Sequence, residues 1–557
     1  MTHPASANPD GEKVLTIVTA AVVAACAVVW AAGQVAARLW SGTWLPVPLS
    51  EGPLIVWRLL TNPARPNESW PPAVTHLLPA PLPYYAALTV LVAVLAAVGA
   101  VGYRWHDRHR NSSDGDSARW AKPGDLKPLL VRRPQPGRLT LGTVQRRLVA
   151  TEAQHSVAVI GPAGTGKTTG FAIPALLEWD GPVIATSVKG DLLEHTINQR
   201  RSVGETWVFD PVGSTDEPSA GWSPLHSAHD WQGALRMAAW LASTARAGER
   251  GGLQDSDFWY AVAQKLLAPL LYAAATSSAG MADVIRWVDL QDEQEPLQAL
   301  HQAKEIDALQ AFAASINREE RTRSSAYTTA ETVLAAFSDP GVLATTIRQP
   351  IIDPDRLLDG GNHTLYICGP LHEQARLRPL FTALIEQIVA RVYDRANRAS
   401  SRLTKPLLLV IDEAANIAPL PDLAQLASTA RGVGIQLVTV WQDFAQIQAR
   451  YGTFAQTVIN NHRAKVVLAG ISDTPTLDYI SRLIGDETTL ENSRTRNADG
   501  RESVTESTRH RPLATTADLR RSNTGTGVLV YGNFHPARLH LRPWYGSRRG
   551  RWSWVPR

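Results

Sequence analysis

The sequence predicts an α/β protein: a mostly parallel sheet flanked by helices, preceded by two membrane-spanning helices and interrupted by an all-helical insertion. Three observations carry this reading. Two uncharged runs of about twenty residues, 14–33 and 84–103, are each long enough to cross a bilayer as a helix. From residue 137 onward, short β-type runs alternate with helical stretches at the spacing of parallel crossovers. Between residues 226 and 345 that alternation stops, and only helix-period patterns remain.

The bulk properties set outer limits. At 557 residues the chain is too long for one simple domain. A net charge of +4 permits a nucleic-acid partner without arguing for one. The two cysteines, Cys26 and Cys368, lie far apart and exclude a disulfide framework or a cysteine-rich zinc site.

Residues 1–104 read as a membrane anchor. Lys13 precedes the first run, and Arg104, Arg108 and Arg110 follow the second, so both termini fall on the cytoplasmic side by the positive-inside rule. A Pro- and Trp-rich segment, residues 40–83, then forms a short external loop. A cleaved signal is the rival reading, because Val23-Ala24-Ala25-Cys26 resembles a lipoprotein cleavage box. The apolar run continues past Cys26, however, which favours a span. A buried core helix is the other rival, and two long uncharged runs so close together argue against it. Residues 105–136, with NSSDGDS at 111–117, read as a juxtamembrane linker.

Residues 137–225 and 346–545 read as one nucleotide-binding domain. Its centre is HSVAVIGPAGTGKTTG at 155–170. The apolar run 157–160 is a strand, Gly161, Pro162, Ala163, Gly164, Thr165 and Gly166 form the loop, and Lys167, Thr168 and Thr169 open a helix. Strand, glycine loop and helix are the context a P-loop requires. The glycines let backbone N–H groups turn inward around phosphate, and the helix N-terminus adds partial positive charge. Lys167 is expected to reach the β- and γ-phosphates, and the Thr168 hydroxyl to ligate Mg²⁺. A secreted location would separate this loop from ATP, which further disfavours signal cleavage.

The strand-like run 182–187 leads to Lys189, and 206–209 leads to Asp210; both residues fall at strand ends, where ligands gather in such sheets. Either is equally a solvated loop charge. Five helical stretches follow: 234–245, 257–276, 281–289, 296–316 and 324–337. They place residues 226–345 in an inserted all-α domain. The run 364–368 resumes the sheet and buries Cys368, and 376–395 is a helix with Leu380, Leu384, Ile388 and Val392 on one face.

Leu407 to Ile411 is an unbroken apolar strand that delivers Asp412 and Glu413 at its end. Asp412 is placed to hold Mg²⁺, and Glu413 to orient or deprotonate the attacking water. The strand 434–441 ends at Gln442, which can sense the γ-phosphate or the lytic water. Arg431, just before that strand, is either an arginine finger for a neighbouring subunit or a surface ion-pair partner. Residues 486–512 read as polar loop, 528–531 and 537–541 as closing strands. The tail 546–557 mixes Arg with Trp, a terminus that is either disordered or in contact with nucleic acid or lipid.

Taken together, these motifs resemble the conjugative coupling proteins of type IV secretion, the VirD4/TraG group. The resemblance runs from about Ser117 to Tyr545. It is carried by Ser-Ala-Arg-Trp at 117–120, Val-Lys-Gly-Asp at 188–191, Phe-Asp-Pro at 209–211 and Trp-Ser-Pro-Leu at 222–225. Phe258-Trp259, Ala-Arg-Gly-Val-Gly-Ile at 430–435 and Thr-Val-Trp-Gln at 439–442 add to it. It implies a RecA-like motor, a membrane-anchored homo-hexamer that hydrolyses ATP with Mg²⁺ between subunits. It implies transfer of single-stranded DNA with its attached relaxase, or of protein substrates, into a type IV secretion channel. Lys167, Thr168, Asp412, Glu413 and Gln442 keep their motif roles, Arg431 becomes a finger acting in trans, and the helical insert takes part in substrate recognition. Ser187 departs from the acidic residue common before the Lys-Gly pair, the external loop is short, and strongly basic stretches are absent. An FtsK-type DNA pump and a non-hydrolytic docking receptor are the alternatives. The first lacks its winged helix here, and Glu413 and Gln442 argue against the second.

Overall fold

The computed structural model describes residues 9–110, 117–188, 190–246, 254–398, 403–496 and 502–545. The chain divides into two compact units, Met1–Asp116 and Ser117–Arg557.

In the first unit, helix α1 (Pro9–Ser41) contains the whole predicted run 14–33, and helix α3 (Pro81–Arg110) contains 84–103. Among the described residues, Val22–Ser41 and Pro81–Gly102 are long and apolar enough to cross a membrane. The side chains of Lys13, Arg104, Arg108 and Arg110 lie outside the described set. The segment between the helices is more than the short loop that its composition predicts. It contains helix α2 (Gly52–Thr61) and a core of its own, in which Leu45, Val47, Ile55, Trp70 and Val74 are buried with Ala36, Ala37 and Tyr84. Prolines and tryptophans concealed this, because their spacing matches neither helix nor strand.

The second unit is built on strands β1 (Leu130–Val131), β2 (Thr140–Val144), β3 (Arg147–Ala150), β4 (Val157–Ile160), β5 (Val183–Ser187), β6 (Thr206–Phe209), β7 (Thr364–Cys368), β8 (Leu407–Ile411), β9 (Ile435–Trp441) and β10 (Ala464–Leu468). A hairpin of β11 (Asp486–Arg496) and β12 (Glu502–Pro512) follows, then β13 (Thr526–Tyr531) and β14 (Ala537–His540). Twelve of these form one sheet in the order β1-β3-β2-β14-β13-β10-β4-β9-β8-β5-β7-β6. The seven strands from β10 to β6 are mutually parallel, and the other five pair antiparallel. The parallel strands are buried throughout apart from the first residue of β6, which explains their predominantly apolar sequences. Alternation still sorts their side chains. Val157 and Val159 join the core beneath helices α4 (Ile173–Glu178) and α5 (Asp191–Val203), whereas Ala158 and Ile160 join the opposite core.

Between β6 and β7 the chain is helical: α6 (Trp231–Arg246), α7 (Gln254–Thr276), α8 (Met281–Asp289), α9 (Gln294–Ala303), α10 (Ile306–Ile316), α11 (Glu320–Leu334), α12 (Pro340–Thr345) and α13 (Pro354–Leu357). The stretch read as one helix over 296–316 is two, broken at Lys304, whose φ of 60° cannot continue a right-handed helix. Helix α14 (Gln374–Asn397) follows β7 and buries Leu380, Leu384, Ile388 and Val392 as the periodicity required. Cys368 is buried, and burial pushes its thiol far above the usual range, so it is an inert core residue. Residues 486–496 and 502–512, read as loop from their polarity, pair as the antiparallel strands β11 and β12. Residues following Ser117, assigned to the linker by composition, are packed into this unit: Ala121, Leu126 and Leu129 are buried.

One buried cation fastens the sheet. Arg200 of α5 donates from Nε to Thr364 Oγ1 (2.7 Å), from Nη1 to Trp179 O (2.9 Å), and from Nη2 to Gly181 O and Asn362 O (2.8 and 2.9 Å). These acceptors lie just before β5 and at or just before the first residue of β7, so one guanidinium ties the starts of both strands together. Burial lowers its pKa to about 10, which still leaves it charged at neutral pH. Arg200→Ala strands several carbonyls and should cost roughly 3–5 kcal/mol in denaturant unfolding. Arg200→Lys should recover little of this, because an ammonium cannot reproduce the planar fork. A loss under about 1 kcal/mol would show that water replaces the guanidinium there.

Candidate functional site

Three adjacent parallel strands end at one edge of the sheet. The register pairs Ile160 of β4 with Trp441 of β9, and Ile411 of β8 with Thr439 of β9. The chain continues that alignment past the strands: Gly161 N donates to Trp441 O (3.0 Å) and Ala414 N to Val440 O (3.1 Å). The glycine loop, Gln442 and the Asp412-Glu413 pair are therefore brought side by side by strand pairing alone. They line a cleft of about 460 Å³.

The loop is held open by its own contacts. Gly164 and Gly166 have φ of 79° and 90°, the left-handed conformation that side chains resist. Thr165 Oγ1 donates to Pro162 O (2.8 Å). Lys167 Nζ donates to Gly161 O (2.6 Å) and Pro162 O (2.8 Å), which holds the ammonium over the loop. Thr168 Oγ1 donates to Asp412 Oδ2 (3.4 Å), and Thr186 Oγ1 to Asp412 O (3.1 Å). Burial, with Asp191 and Glu413 close by, raises the Asp412 carboxyl to about 6, while Lys167 and Thr168 oppose the rise. A cation bound between Thr168 and Asp412 favours the ionised carboxylate, so this donor pair fits a hard divalent ion.

Glu413 has a φ of 54°, outside the range that a side chain with a Cβ prefers. Its Oε2 is buried and has no hydrogen-bond partner. A strained backbone and an unpaired carboxylate oxygen coincide on the residue expected to handle water, the kind of position where strain is retained for function. Gln442 lines the same cleft, and its N–H donates to Gln446 Oε1 (3.1 Å).

Two further candidates, Asp210 and Arg431, do not meet here. Asp210 accepts from Ser214 Oγ, Thr215 N and Thr215 Oγ1 (3.0, 2.6 and 2.9 Å); it organises its own turn. Lys189 and the tail 546–557 lie outside the described residues. Arg431 closes helix α15 (Leu423–Val433) at the amino edge of β9, and its Nη1 meets His155 Nε2 at 2.9 Å. Residues not singled out individually complete the cleft. Asp191, inside the Val-Lys-Gly-Asp motif, adds a third carboxylate. Thr524, Gly525, Leu541, Pro543 and Tyr545 form the far wall. That wall is pinned by Leu541 N donating to Gly525 O (2.8 Å) and Trp544 N to Thr169 O (3.1 Å). A larger cleft, about 780 Å³, opens beside Trp207, His226 and Arg391 and contains none of the predicted residues. Its arginines are already paired, Arg391 with Asp355 (2.7 Å) and Arg356 with Glu205 (2.6 Å).

Known proteins agree with this architecture. A family model described as type IV secretory system conjugative DNA transfer matches residues 111–551. The conjugal transfer protein TraG of Agrobacterium fabrum is 25% identical over 360 residues, 62% of this chain and 53% of TraG. Protein VirD4 of the same organism is 25% identical over 432 residues, 73% of this chain and 61% of VirD4. The chain thus spans little more than half the length of the curated relatives it matches. Among solved structures, the plasmid coupling protein TrwB, determined with ADP and Mg²⁺, superposes with a TM-score of 0.58 at 20% identity, over 77% of this chain and 94% of TrwB. TrwB with the ATP analogue ADPNP gives the same TM-score of 0.58. The fold is therefore the TrwB-like, RecA-type one with its inserted helical domain. Because the family model covers most of the chain, from residue 111 to past the last strand, the protein belongs to the conjugative DNA-transfer family of type IV secretion systems, the VirD4/TraG group of coupling proteins.

Proposed function

We propose that this protein is a membrane-anchored ATPase that couples ATP hydrolysis to transfer of single-stranded DNA with its attached relaxase, or of protein substrates, into a type IV secretion channel. The observation that carries the enzymatic part is the convergence of Lys167, Thr168, Asp412, Glu413 and Gln442 on one cleft, with the Glu413 carboxylate strained and unpaired. The loop N–H groups and Lys167 bind and neutralise the phosphates. Thr168 and Asp412 would hold Mg²⁺, which supplies charge neutralisation at the phosphate oxygens. Glu413 orients water and accepts its proton, and Gln442 senses whether the γ-phosphate is present.

Family membership supports the transport part. Arg431 acts across a subunit boundary in a homo-hexamer, residues 226–345 contribute to substrate recognition, and two spans place the catalytic unit in the cytoplasm beneath the membrane. The test is ATP hydrolysis by the full chain in lipid nanodiscs, with and without single-stranded DNA, using Lys167→Ala as the blank. Hydrolysis that rises with DNA is the expected result. Hydrolysis indifferent to DNA would redirect the reading to protein cargo. No hydrolysis above the blank by the assembled protein would leave a docking receptor that uses nucleotide only for assembly.

A further inference from the structure

The segment between α1 and α3 does not leave α1 at its end. It turns back and runs down the side of that helix. The buried Gln34 side chain clasps Leu45 in both directions, Nε2 donating to Leu45 O (3.0 Å) and Oε1 accepting from Leu45 N (2.9 Å). One turn lower, Trp30 Nε1 donates to Val47 O (3.0 Å). One turn lower again, Gly52 lies against Cys26: a Cβ there would sit 3.4 Å from Cys26 Cβ. From Gln34 to Cys26 is a descent of about 12 Å at 1.5 Å per helical residue. Helix α2 then returns toward Trp70, which seats against Gly33 and whose Nε1 donates to Tyr84 OH (3.4 Å). Gly33 and Tyr84 are where the two uncharged runs begin and end on this side, so Cys26 is about 10 Å inside that level.

Two independent features suit this path to an apolar surrounding. Irregular backbone is tolerated there only when its polar groups are satisfied internally. Between Leu45 and Pro48 the donors are either absent or paired: Pro46 and Pro48 have none, Leu45 N is held by Gln34, and Val47 N donates to Leu45 O (2.8 Å). Three of the four acceptors are matched too, since Leu45 O and Val47 O receive Gln34 and Trp30, and Pro48 O receives Glu51 N (3.1 Å), which leaves Pro46 O on an exposed residue. The second feature is the outer face of α2. The helix buries Ile55 and Leu59 and turns Leu54, Trp57 and Leu60 outward, 46%, 66% and 74% exposed. That face is continuous in character with α3, where Val90, Val94 and Val98 are 63%, 52% and 64% exposed along the run that spans the bilayer.

We propose that residues 45–61 form a re-entrant hairpin seated in the outer leaflet, with Leu54, Trp57 and Leu60 against lipid chains. A depth of about 10 Å is that of an interfacial helix, within reach of headgroup water for Glu51 at the turn and for Arg58, whose long stem lets its charge rise to the surface. Trp57 takes the interfacial position that tryptophan favours. The protein thus presents a lipid-embedded collar on its outer side in place of an aqueous loop.

The inference rests on α1 and α3 spanning the membrane, and the test separates the two. In full-length protein with Cys26 and Cys368 replaced by alanine, single cysteines are introduced as Leu54→Cys, Trp57→Cys and Leu60→Cys. Val94→Cys in α3 reports the span, and Glu68→Cys reports external water. A charged, membrane-impermeant maleimide is applied from outside, and lipid nitroxides quench a fluorophore at each site in nanodiscs. Glu68→Cys should label fast, the three α2 positions at least about tenfold more slowly, with lipid quenching comparable to Val94→Cys. If the α2 positions label as fast as Glu68→Cys while Val94→Cys stays protected, the spans stand and the re-entrant hairpin is overturned. Labelling of Val94→Cys would overturn the spans themselves. Protection of α2 without lipid quenching would overturn the lipid assignment and indicate a protein covering that face.

Discussion

Glu413→Gln should leave nucleotide binding intact and slow hydrolysis by about 10²–10⁴-fold, the usual worth of a positioned general base. The substitution keeps length and shape, and the loop and Lys167 that would grip the phosphates are untouched. What changes is the carboxylate oxygen Oε2, which is buried without a partner. Protein–protein hydrogen bonds do not stabilise that oxygen, so it is available to water that enters with the substrate. The backbone argues the same way. A φ of 54° costs a non-glycine residue roughly 1–2 kcal/mol, which the fold tolerates at this one point of the β8 exit. Glu413→Gly should therefore be at least as stable as the wild type while equally inactive, a separation of stability from function. Single-turnover hydrolysis and nucleotide titration, run on the same preparations, measure both halves. A Glu413→Gln rate within a factor of about three of wild type would remove Glu413 from the chemistry. Parallel loss of binding would instead make it a structural residue.

The parts of this site legible in the sequence share one property: each follows an apolar run directly. Gly161 to Thr169, Asp412-Glu413 and Gln442 stand at strand ends, and parallel pairing brings strand ends together whatever the strand order. The order itself was not legible. Nothing local to β9 says that it lies between β4 and β8, yet that position sets Gln442 between the loop and the carboxylates. The far wall was hidden for the same reason. Leu541, Pro543 and Tyr545 reach the cleft through antiparallel pairings that link β14 to β13 and β2, over sequence separations that no motif spans. The β11–β12 hairpin escaped notice because apolar alternation marks a strand only where one face is buried. Its residues 507–511 are exposed without alternation, leaving only hydrogen bonding to reveal it. Asp191 was visible as part of a motif, but its carboxylate acquires meaning only when α5 places it beside Asp412.

Arg431→Ala should reduce hydrolysis by the assembled protein about 10³–10⁵-fold, the range for loss of an arginine finger, without weakening nucleotide binding to a single chain. Geometry within one chain supports this division. The cleft lies at the carboxyl edge of the sheet, and Arg431 lies before the first residue of β9, a seven-residue strand about 23 Å long. No side chain spans that distance, so any contact between Arg431 and phosphate is made in a neighbouring copy. The residue is prepared for such a role. It is exposed, and its guanidinium donates to His155 Nε2, which requires a neutral ring with its proton on Nδ1. That nitrogen faces Tyr531 OH at 2.5 Å, and burial followed by the Arg431 charge lowers the His155 pKa, keeping the acceptor form at neutral pH. A bidentate fork is the useful feature, so Arg431→Lys should rescue little. Mixing distinguishes the trans role from a structural one. Neither Arg431→Ala nor Lys167→Ala alone forms a complete site. In an equal mixture, about a quarter of the interfaces in a closed ring pair an intact Lys167 with a neighbour's intact Arg431. Hydrolysis should therefore reappear on mixing and scale with the product of the two fractions. A mixture as inactive as its components, despite demonstrated co-assembly, would return Arg431 to the surface ion-pair role that its sequence position also allows.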